Sequence, residues 1–267
     1  MWLVLFLVGV IIYLLYLLKN SKKLSYKCFL LTLPSSTNRR QKFLTSHSKA
    51  VPLEIVYGVD TKSVENAKKY QNVVDPVYFK EALKMHYNRK HLRPDMTYFN
   101  MGAIGCYMGH MEFYRRCFEQ GLKYAVVFED NVIVSNDRLY DEIQEVIDTM
   151  GDNFEMCFFH CLTRYPDGVV TKDLERVKWI SSTKCYLINV ENMQKYYQYF
   201  FPIDNHVDMK HEDIIARGAR VFYRDLRDCM YIDRTGGSTI GHSNHHKPKY
   251  FSRQYPMATT DVLKPGY

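Results

Sequence analysis

Three side chains that carry oxygen donors stand together at residues 129–131, in the order Glu129-Asp130-Asn131. They directly follow residues 124–128, an apolar run of the kind that forms a buried strand. In an open α/β sheet, ligands bind beyond the carboxyl ends of the strands. Mg²⁺ and Mn²⁺ prefer oxygen ligands, and such an ion stabilises the negative charge of a departing diphosphate. The pattern indicates a metal–diphosphate site in which Asp130 is an exposed ligand, with an ordinary polar turn as the alternative.

Two further basic side chains are candidates for contact with phosphate groups. His110 is expected at the start of a helix, where its ring would hydrogen-bond a phosphate or a sugar, or instead cap the turn. Arg39 opens another predicted helix, and it would meet the phosphates of a nucleotide or only solvate the helix start. Both are assigned to ligand binding, together with Glu129 and Asp130.

A cluster of histidines follows Gly236-Gly237-Ser238 near the end of the chain, and its members are His242, His245 and His246. A glycine-containing loop with imidazoles can fold over a diphosphate, and one imidazole can complete a metal shell. We assign that ligand to His242, beside Asp130 and Asn131. The alternative is an exposed histidine tail.

The elements that must position these residues follow from the hydrophobic pattern. Strands are predicted over residues 27–33, 53–57, 124–128, 154–161, 184–190 and 221–223, and helices from residue 39 and over 107–118, 139–150 and 193–200. The opening order of strand, helix and strand is that of a βαβ unit, so an α/β domain with a mainly parallel, mixed sheet is expected. Residues 61–100 should form short helices and a loop over the site.

The strand ends of such a sheet share one edge. We therefore expect Glu129, Asp130, His110 and the loop at residues 34–40 to border a single pocket, although they lie far apart along the chain.

The chain of 267 residues begins with seventeen consecutive apolar residues, at 2–18, followed by Lys19, Lys22, Lys23 and Lys27. A helix of that length spans about 25 Å, at the short end of what crosses a bilayer. No basic residue precedes the run and no small-residue cleavage site follows it, which favours an uncleaved transmembrane helix at residues 1–18 and a basic linker at 19–25. The alternative is a hydrophobic leader on an otherwise soluble chain. The flanking lysines predict a single-pass membrane protein with a cytosolic domain, and a lumenal orientation is the alternative.

Two other classes of protein are disfavoured by composition. The net charge is +7, but no arginine-rich helix or aromatic–basic motif indicates nucleic acid as a partner. The seven cysteines are odd in number and include no pair of CxxC motifs, so reduced thiols are expected rather than disulfides or a zinc site.

One family likeness emerges from the central motifs. Residues 102–110 (GAIGCYMGH), followed by VVFEDN at 126–131, resemble the signature of glycosyltransferase family 25. That family includes bacterial lipopolysaccharide and lipooligosaccharide sugar transferases and the collagen galactosyltransferases. Weaker similarities cover residues 26–245, which we take as the transferase domain, with a loop-rich tail at 246–267.

The resemblance implies a GT-A-like nucleotide-sugar fold that transfers a hexose, galactose or a relative, from a UDP-sugar. It also implies inversion at the anomeric carbon, a Mn²⁺ or Mg²⁺ ion, and a glycan, lipid or protein as acceptor. Three residues depart from the family pattern: Ala103 replaces Glu, Gly109 replaces Ser, and Asn131 replaces the last Asp. These departures motivate the alternative of a catalytically silent, membrane-tethered protein of the same fold that binds nucleotide sugars or serves as a scaffold.

An inverting transfer requires a general base within hydrogen-bond reach of the acceptor hydroxyl. The acidic residues between 204 and 213 lie in the half of the chain where the acceptor is expected. We assign the base to Asp208 or Asp204, and Glu212 and Asp213 are further candidates. A solvated acidic loop is the alternative interpretation.

Overall fold

The computed structural model describes residues 24–87, 99–171 and 173–235. The predicted anchor at 1–18, most of the linker at 19–25, and the tail at 246–267 lie outside these ranges and stay predictions. Within them, no helix combines the length and the apolar character that crossing a bilayer requires.

The strands of the described residues are β1 Tyr26–Thr32, β2 Leu53–Tyr57, β3 Tyr124–Glu129, β4 Val132–Val134, β5 Met156–Phe158, β6 Thr163–Thr171, β7 Leu174–Ser181, β8 Cys185–Asn189, β9 Val221–Tyr223 and β10 Met230–Ile232. The α-helices are α1 Thr37–Ser46, α2 Val64–Lys68, α3 Pro76–Tyr87, α4 Met101–Glu119, α5 Arg138–Met150, α6 Val190–Gln194 and α7 Val207–Ala216. A 3₁₀ helix covers Tyr197–Phe200.

Eight strands form one mixed sheet in the order β2-β1-β3-β8-β5-β9-β7-β6, and β4 pairs with β10. Six of the eight run in one direction, and β7 and β8 run in the opposite direction. The predicted α/β class with a mainly parallel, mixed sheet is therefore confirmed.

Both faces of this sheet are covered by helices. Along β1, Phe29 and Leu31 belong to the hydrophobic core with α4, whereas Cys28 and Leu30 belong to the core with α1 and α5. Successive strand residues point to opposite faces, so a strand buried on both sides must be apolar throughout. This explains why β1 and β3 are the clearest apolar runs of the sequence.

Several predicted elements differ from those observed. The strand expected over 154–161 is only Met156–Phe158, and the helix expected over 193–200 is divided between α6 and the 3₁₀ helix. The hairpin of β6 and β7 was not predicted, because Pro166 and Gly168 interrupt the apolar alternation and the pairing shifts register around them. The acidic residues after 206 lie on α7 rather than in a loop.

Helix α4 begins earlier than predicted, at Met101. Asn100 caps it by accepting a hydrogen bond from the Ala103 N–H at 3.0 Å. The glycines of this segment look like helix breakers in the sequence, but the helix contains them because the loop after β2 lies against it. A Cβ atom on Gly105 would stand only 2.3 Å from the carbonyl oxygen of Val59.

All seven cysteines lie in the described residues and are free, so the prediction of reduced thiols is confirmed.

Candidate functional site

An open cleft of about 540 Å³, part of it solvent, lies where β1, β2 and β3 end against the first half of α4. It is lined by residues 31–33, 58–62, Gly102, Gly105, Cys106, Gly109, Glu129 and Asp130. The strand end near Leu33, the motif helix and the acidic pair therefore meet at one cleft, as the argument from strand ends predicted. His110 and the loop at residues 34–40, which were expected to border the same pocket, are not among its lining residues.

The pairing of the strands explains this convergence. Leu31 is the partner of Glu129 across β1 and β3, and Thr32 is the partner of Tyr57 across β1 and β2. The three parallel strands thus end at nearly the same level. The residue that follows each strand end faces the same edge of the sheet.

Asp130 is buried at this edge of the sheet rather than exposed to solvent. Only 7 % of the residue is exposed, so the expectation of an exposed strand-end carboxylate was wrong. Its Oδ2 accepts a hydrogen bond from Thr32 Oγ1 at 2.7 Å, and its Oδ1 lies 3.5 Å from Arg39 Nη1. Burial raises the pKa of Asp130, and the hydrogen bond from Thr32 and the charge of Arg39 oppose the rise. Arg39, on α1, therefore lies beside the acidic pair.

Glu129 is held by donors on all sides. Its Oε1 accepts a hydrogen bond from Thr183 Oγ1 at 2.6 Å, and its Oε2 accepts one from Lys184 Nζ at 2.5 Å. Burial raises the pKa of Glu129, but the charge of Lys184 and a contact with His110 outweigh it, so the pKa falls below its ordinary value. Burial also works against the ammonium of Lys184, yet Glu129 raises its pKa. Both groups are charged.

His110 is the tenth residue of α4, so its expected position at the helix start was wrong. The residue is fully buried. Its Nδ1 hydrogen-bonds Tyr186 Oη at 2.8 Å, and its Nε2 lies 3.8 Å from Glu129 Oε1. The ring therefore stands behind Glu129 and does not itself line the cleft.

The described residues fit a hard divalent ion poorly. Glu129 is already neutralised by Lys184, which leaves Asp130, itself paired with Arg39, and Asp60 as the other carboxylates of the cleft lining. Asn131 is not among the cleft-lining residues, and its Oδ1 is buried without a hydrogen-bond partner in the described part of the chain. His242 lies outside the described residues. The metal set Asp130, Asn131 and His242 stays a prediction.

A second group with ligand atoms stands nearby. Cys106 Sγ, a ring nitrogen of His110 and an oxygen of Glu129 lie within 4.8 Å of one another. The ammonium of Lys184 already donates a hydrogen bond to the carboxylate of Glu129. Burial, followed by the charge of Glu129, raises the pKa of the Cys106 thiol. A soft cation would therefore have to compete with Lys184 and with the thiol proton.

The two candidates for the general base have different surroundings. Asp208 lies in the first turn of α7, close enough that its charge adds to the effects of burial and of Glu129 in raising the pKa of Cys106. Asp204 precedes the helix and pairs with Lys210 at 2.6 Å. Lys210 also pairs with Asp213 at 3.1 Å. Asp208 is therefore the candidate whose charge reaches a cleft-lining residue.

Residues in the cleft lining or bonded to it were missed by the sequence analysis. Lys184, Thr183 and Thr32 are ordinary types at strand boundaries, and no local motif marks them. Lys62 lines the cleft from the loop after β2. The signal that would find Lys184 is the direction of β8: this strand is antiparallel to β3, so its beginning lies at the edge where β3 ends.

Comparison with known proteins places these motifs in context. The family model described as "Glycosyltransferase family 25 (LPS biosynthesis protein)" matches residues 25–211, a range that contains the whole cleft lining.

Solved structures with a similar chain path share little sequence with this protein. A UDP-glucose pyrophosphorylase complexed with UDP-glucose is 9 % identical, with a TM-score of 0.42 over 75 % of this chain and 90 % of that chain. A UTP-bound UGPase from Acinetobacter baumannii is 8 % identical, with a TM-score of 0.43 over 78 % and 88 %. The protein A197 from STIV is 9 % identical, with a TM-score of 0.41 over 75 % and 81 %. At these scores the likeness carries no conclusion about the reaction, which must be argued from the site.

Proposed function

The chain belongs to glycosyltransferase family 25 and is a glycosyltransferase, and from this premise we propose that it uses a UDP-sugar as donor. The transferred group is a hexose, galactose or a relative, and the acceptor is a glycan, a lipid or a protein. Transfer proceeds with inversion on a GT-A-like fold that a single N-terminal helix tethers to the membrane.

The observation that supports this proposal most strongly is the cleft at the carboxyl edge of β1, β2 and β3. Both halves of the family motif line it, since Gly102, Gly105 and Cys106 come from α4 and Glu129 and Asp130 from β3. The cleft also lies beside the first turn of α4, where the positive end of the helix dipole favours phosphate.

The donor diphosphate would lie between these groups, with Lys62 in the cleft lining and with Arg39 and Lys184 paired to the two acids. Asp208 would accept the proton of the acceptor hydroxyl. As that oxygen forms its bond to the anomeric carbon, the bond from the carbon to the diphosphate oxygen breaks and UDP departs with the electron pair. The observation that favours Asp208 over Asp204 is that its charge is among those that raise the pKa of Cys106, which lines the cleft.

The test is turnover of a panel of UDP-hexoses by the full chain, with release of UDP and appearance of a glycosylated acceptor as readouts. Asp208→Asn should lower transfer by about 100-fold or more while UDP binding persists, because a general base contributes to the chemical step. Asp152→Asn, which breaks an exposed ion pair with Lys123, is the control and should keep transfer. Normal turnover by Asp208→Asn would overturn the assignment of the base. Absence of turnover with every UDP-hexose would overturn the donor class.

A further inference from the structure

The direction of β8 brings a lysine into contact with Glu129, which lines the cleft. The strand is antiparallel to β3, and Lys184 immediately precedes it. The Glu129 N–H donates to the carbonyl oxygen of Lys184 at 2.9 Å, so the two backbones remain paired up to the edge of the sheet. The side chain of Lys184 therefore starts beside the acid that lines the cleft.

The ion pair between these two residues is mostly removed from water. The side chain of Lys184 is 23 % exposed and that of Glu129 is 14 % exposed. Breaking such a pair leaves an uncompensated charge in a medium of low dielectric constant, which is strongly unfavourable. Lys184 is consequently fixed in position rather than sampling many rotamers on the surface.

A second pair lies next to the first. Arg39 Nη1 stands 3.5 Å from Asp130 Oδ1, and the two side chains are 13 % and 9 % exposed. The two acids of the strand end thus face two cations. Lys184 and Arg39 together carry the two positive charges that a divalent ion would bring, so the acidic pair is electrically balanced by the chain itself.

We propose that Lys184, with Arg39, takes the electrostatic place of the divalent ion in this site, so that the donor diphosphate binds without a metal. This rests on the proposed function, because it assigns the partner of the UDP moiety at the same cleft. Glu129 then acts as the residue that positions Lys184 and not as a metal ligand. When the donor binds, the ammonium shares its hydrogen bonds between the carboxylate and a phosphate oxygen.

This assignment and the metal-ligand assignment predict opposite effects for Glu129→Gln. If Glu129 holds a metal, loss of its charge weakens UDP binding in the presence of Mn²⁺. If it positions Lys184, the substitution removes a negative charge near the phosphates and keeps a hydrogen-bond acceptor for the lysine. Affinity for UDP should then be unchanged or higher.

The experiment is titration calorimetry of the full-length protein with UDP and with UMP, in EDTA and again in MnCl₂. The wild-type protein is expected to bind UDP in EDTA with an affinity close to that in Mn²⁺. Lys184→Met should weaken UDP binding roughly 10- to 100-fold, the value of one hydrogen bond to a charged group, and should weaken UMP binding less.

Two further variants separate this effect from damage to the fold. Lys184→Met with Glu129→Gln removes both charges, leaves no charge unpaired and should also lose UDP affinity. Lys27→Met is the matched control. It breaks a partly buried pair with Glu54, at 2.6 Å, at the opposite edge of the sheet, and should leave UDP binding unchanged.

The outcomes are distinct. Wild-type binding of UDP that requires Mn²⁺, or wild-type affinity of the double variant in EDTA, would overturn the proposal while the donor class stands. Failure of the wild-type protein to bind UDP in either buffer would remove the proposed function and this inference with it.

Discussion

Among single residues, Thr32 offers the most direct test of how the acidic edge is held. Its hydroxyl donates to the buried carboxylate of Asp130 at 2.7 Å, and the residue is 3 % exposed. Hydrogen bonds to charged groups contribute about 1.5–3 kcal/mol. Because Asp130 is itself buried, Asp130→Ala would reduce stability as well as transfer, and a substitution at its partner isolates the contact better.

Thr32→Val keeps the shape of the side chain and the strand propensity but leaves Asp130 without its donor. We expect the free energy of unfolding to fall by about 1–3 kcal/mol, measured by urea denaturation. The control is Thr45→Val on the exposed side of α1, where the hydroxyl bonds the Gln41 carbonyl at 2.9 Å. That change should cost less than about 0.5 kcal/mol. Equal losses for the two variants would mean that the Thr32 hydrogen bond adds nothing.

At the scale of elements, α4 and the loop after β2 form the tightest wall of the cleft. A Cβ on Gly105 would meet the Val59 carbonyl oxygen at 2.3 Å and Thr61 Oγ1 at 2.5 Å, whereas a Cβ on Gly109 would meet Leu31 Cδ1 at 2.9 Å. The first contact includes backbone, but the second is with the end of a flexible side chain. The family's serine at position 109 would therefore require Leu31 to move or to be smaller.

Gly105→Ala is expected to destabilise the fold by about 1–3 kcal/mol and to weaken UDP binding, because the helix must move away from the loop. Gly109→Ala should be tolerated better, since Leu31 can change its rotamer. Urea denaturation measures the first effect and calorimetry the second. The same loss of stability in both variants would contradict the distinction between a backbone and a side-chain contact.

Elements and site were predictable to different degrees, for physical reasons. The strong apolar runs of β1 and β3 identify the sheet because both of its faces are buried, and parallel strand ends then predict the convergence at Asp130. The start of α4 was missed because its glycines disfavour a helix by propensity. Gly105 is nevertheless required there, since a larger residue would clash with the loop after β2. Lys184 was missed because its partner Glu129 is distant in sequence and only the direction of β8 joins them.

At the scale of the whole molecule, buried histidines link stability to pH. Burial is the main cause that lowers the pKa of His160 to about 4 and that of His211 to about 3. Below the ordinary value of about 6.5, the unfolded chain takes up protons that the native protein does not. Stability should therefore be fully present above pH 6.5 and fall as the pH drops, by roughly 2 kcal/mol for each histidine between pH 7 and 5.

His211→Leu should flatten this dependence by about half, because the ring is packed among Phe158, Phe200 and Tyr186 and an apolar side chain can replace it. The measurement is the free energy of unfolding at pH 7 and pH 5 for both proteins. A slope identical to that of the wild type would show that His211 is not part of the linkage.

Membrane topology is a separate prediction at this scale. The lysines after residue 18 predict that residues 26–267 face the cytosol. A glycosylation sequon engineered into the tail should stay unmodified when the chain is made with microsomes. Addition of a glycan there would establish the lumenal orientation instead.

The reversed direction of β8 has a consequence for how this site can change in evolution or in the laboratory. Parallel strands contribute to a cleft through the residues that leave their carboxyl ends, and here these residues lead into α1, α2 and β4. A strand that runs in the opposite direction contributes through the residues that precede it. Residues 182–184 therefore lie at the carboxyl edge of β1, β2 and β3, although they belong to a different part of the chain. A mutational library restricted to the residues after the carboxyl ends of the parallel strands would leave out Lys184. A library that also includes residues 182–184 would vary the charge of the protein next to Glu129 without altering helix α4.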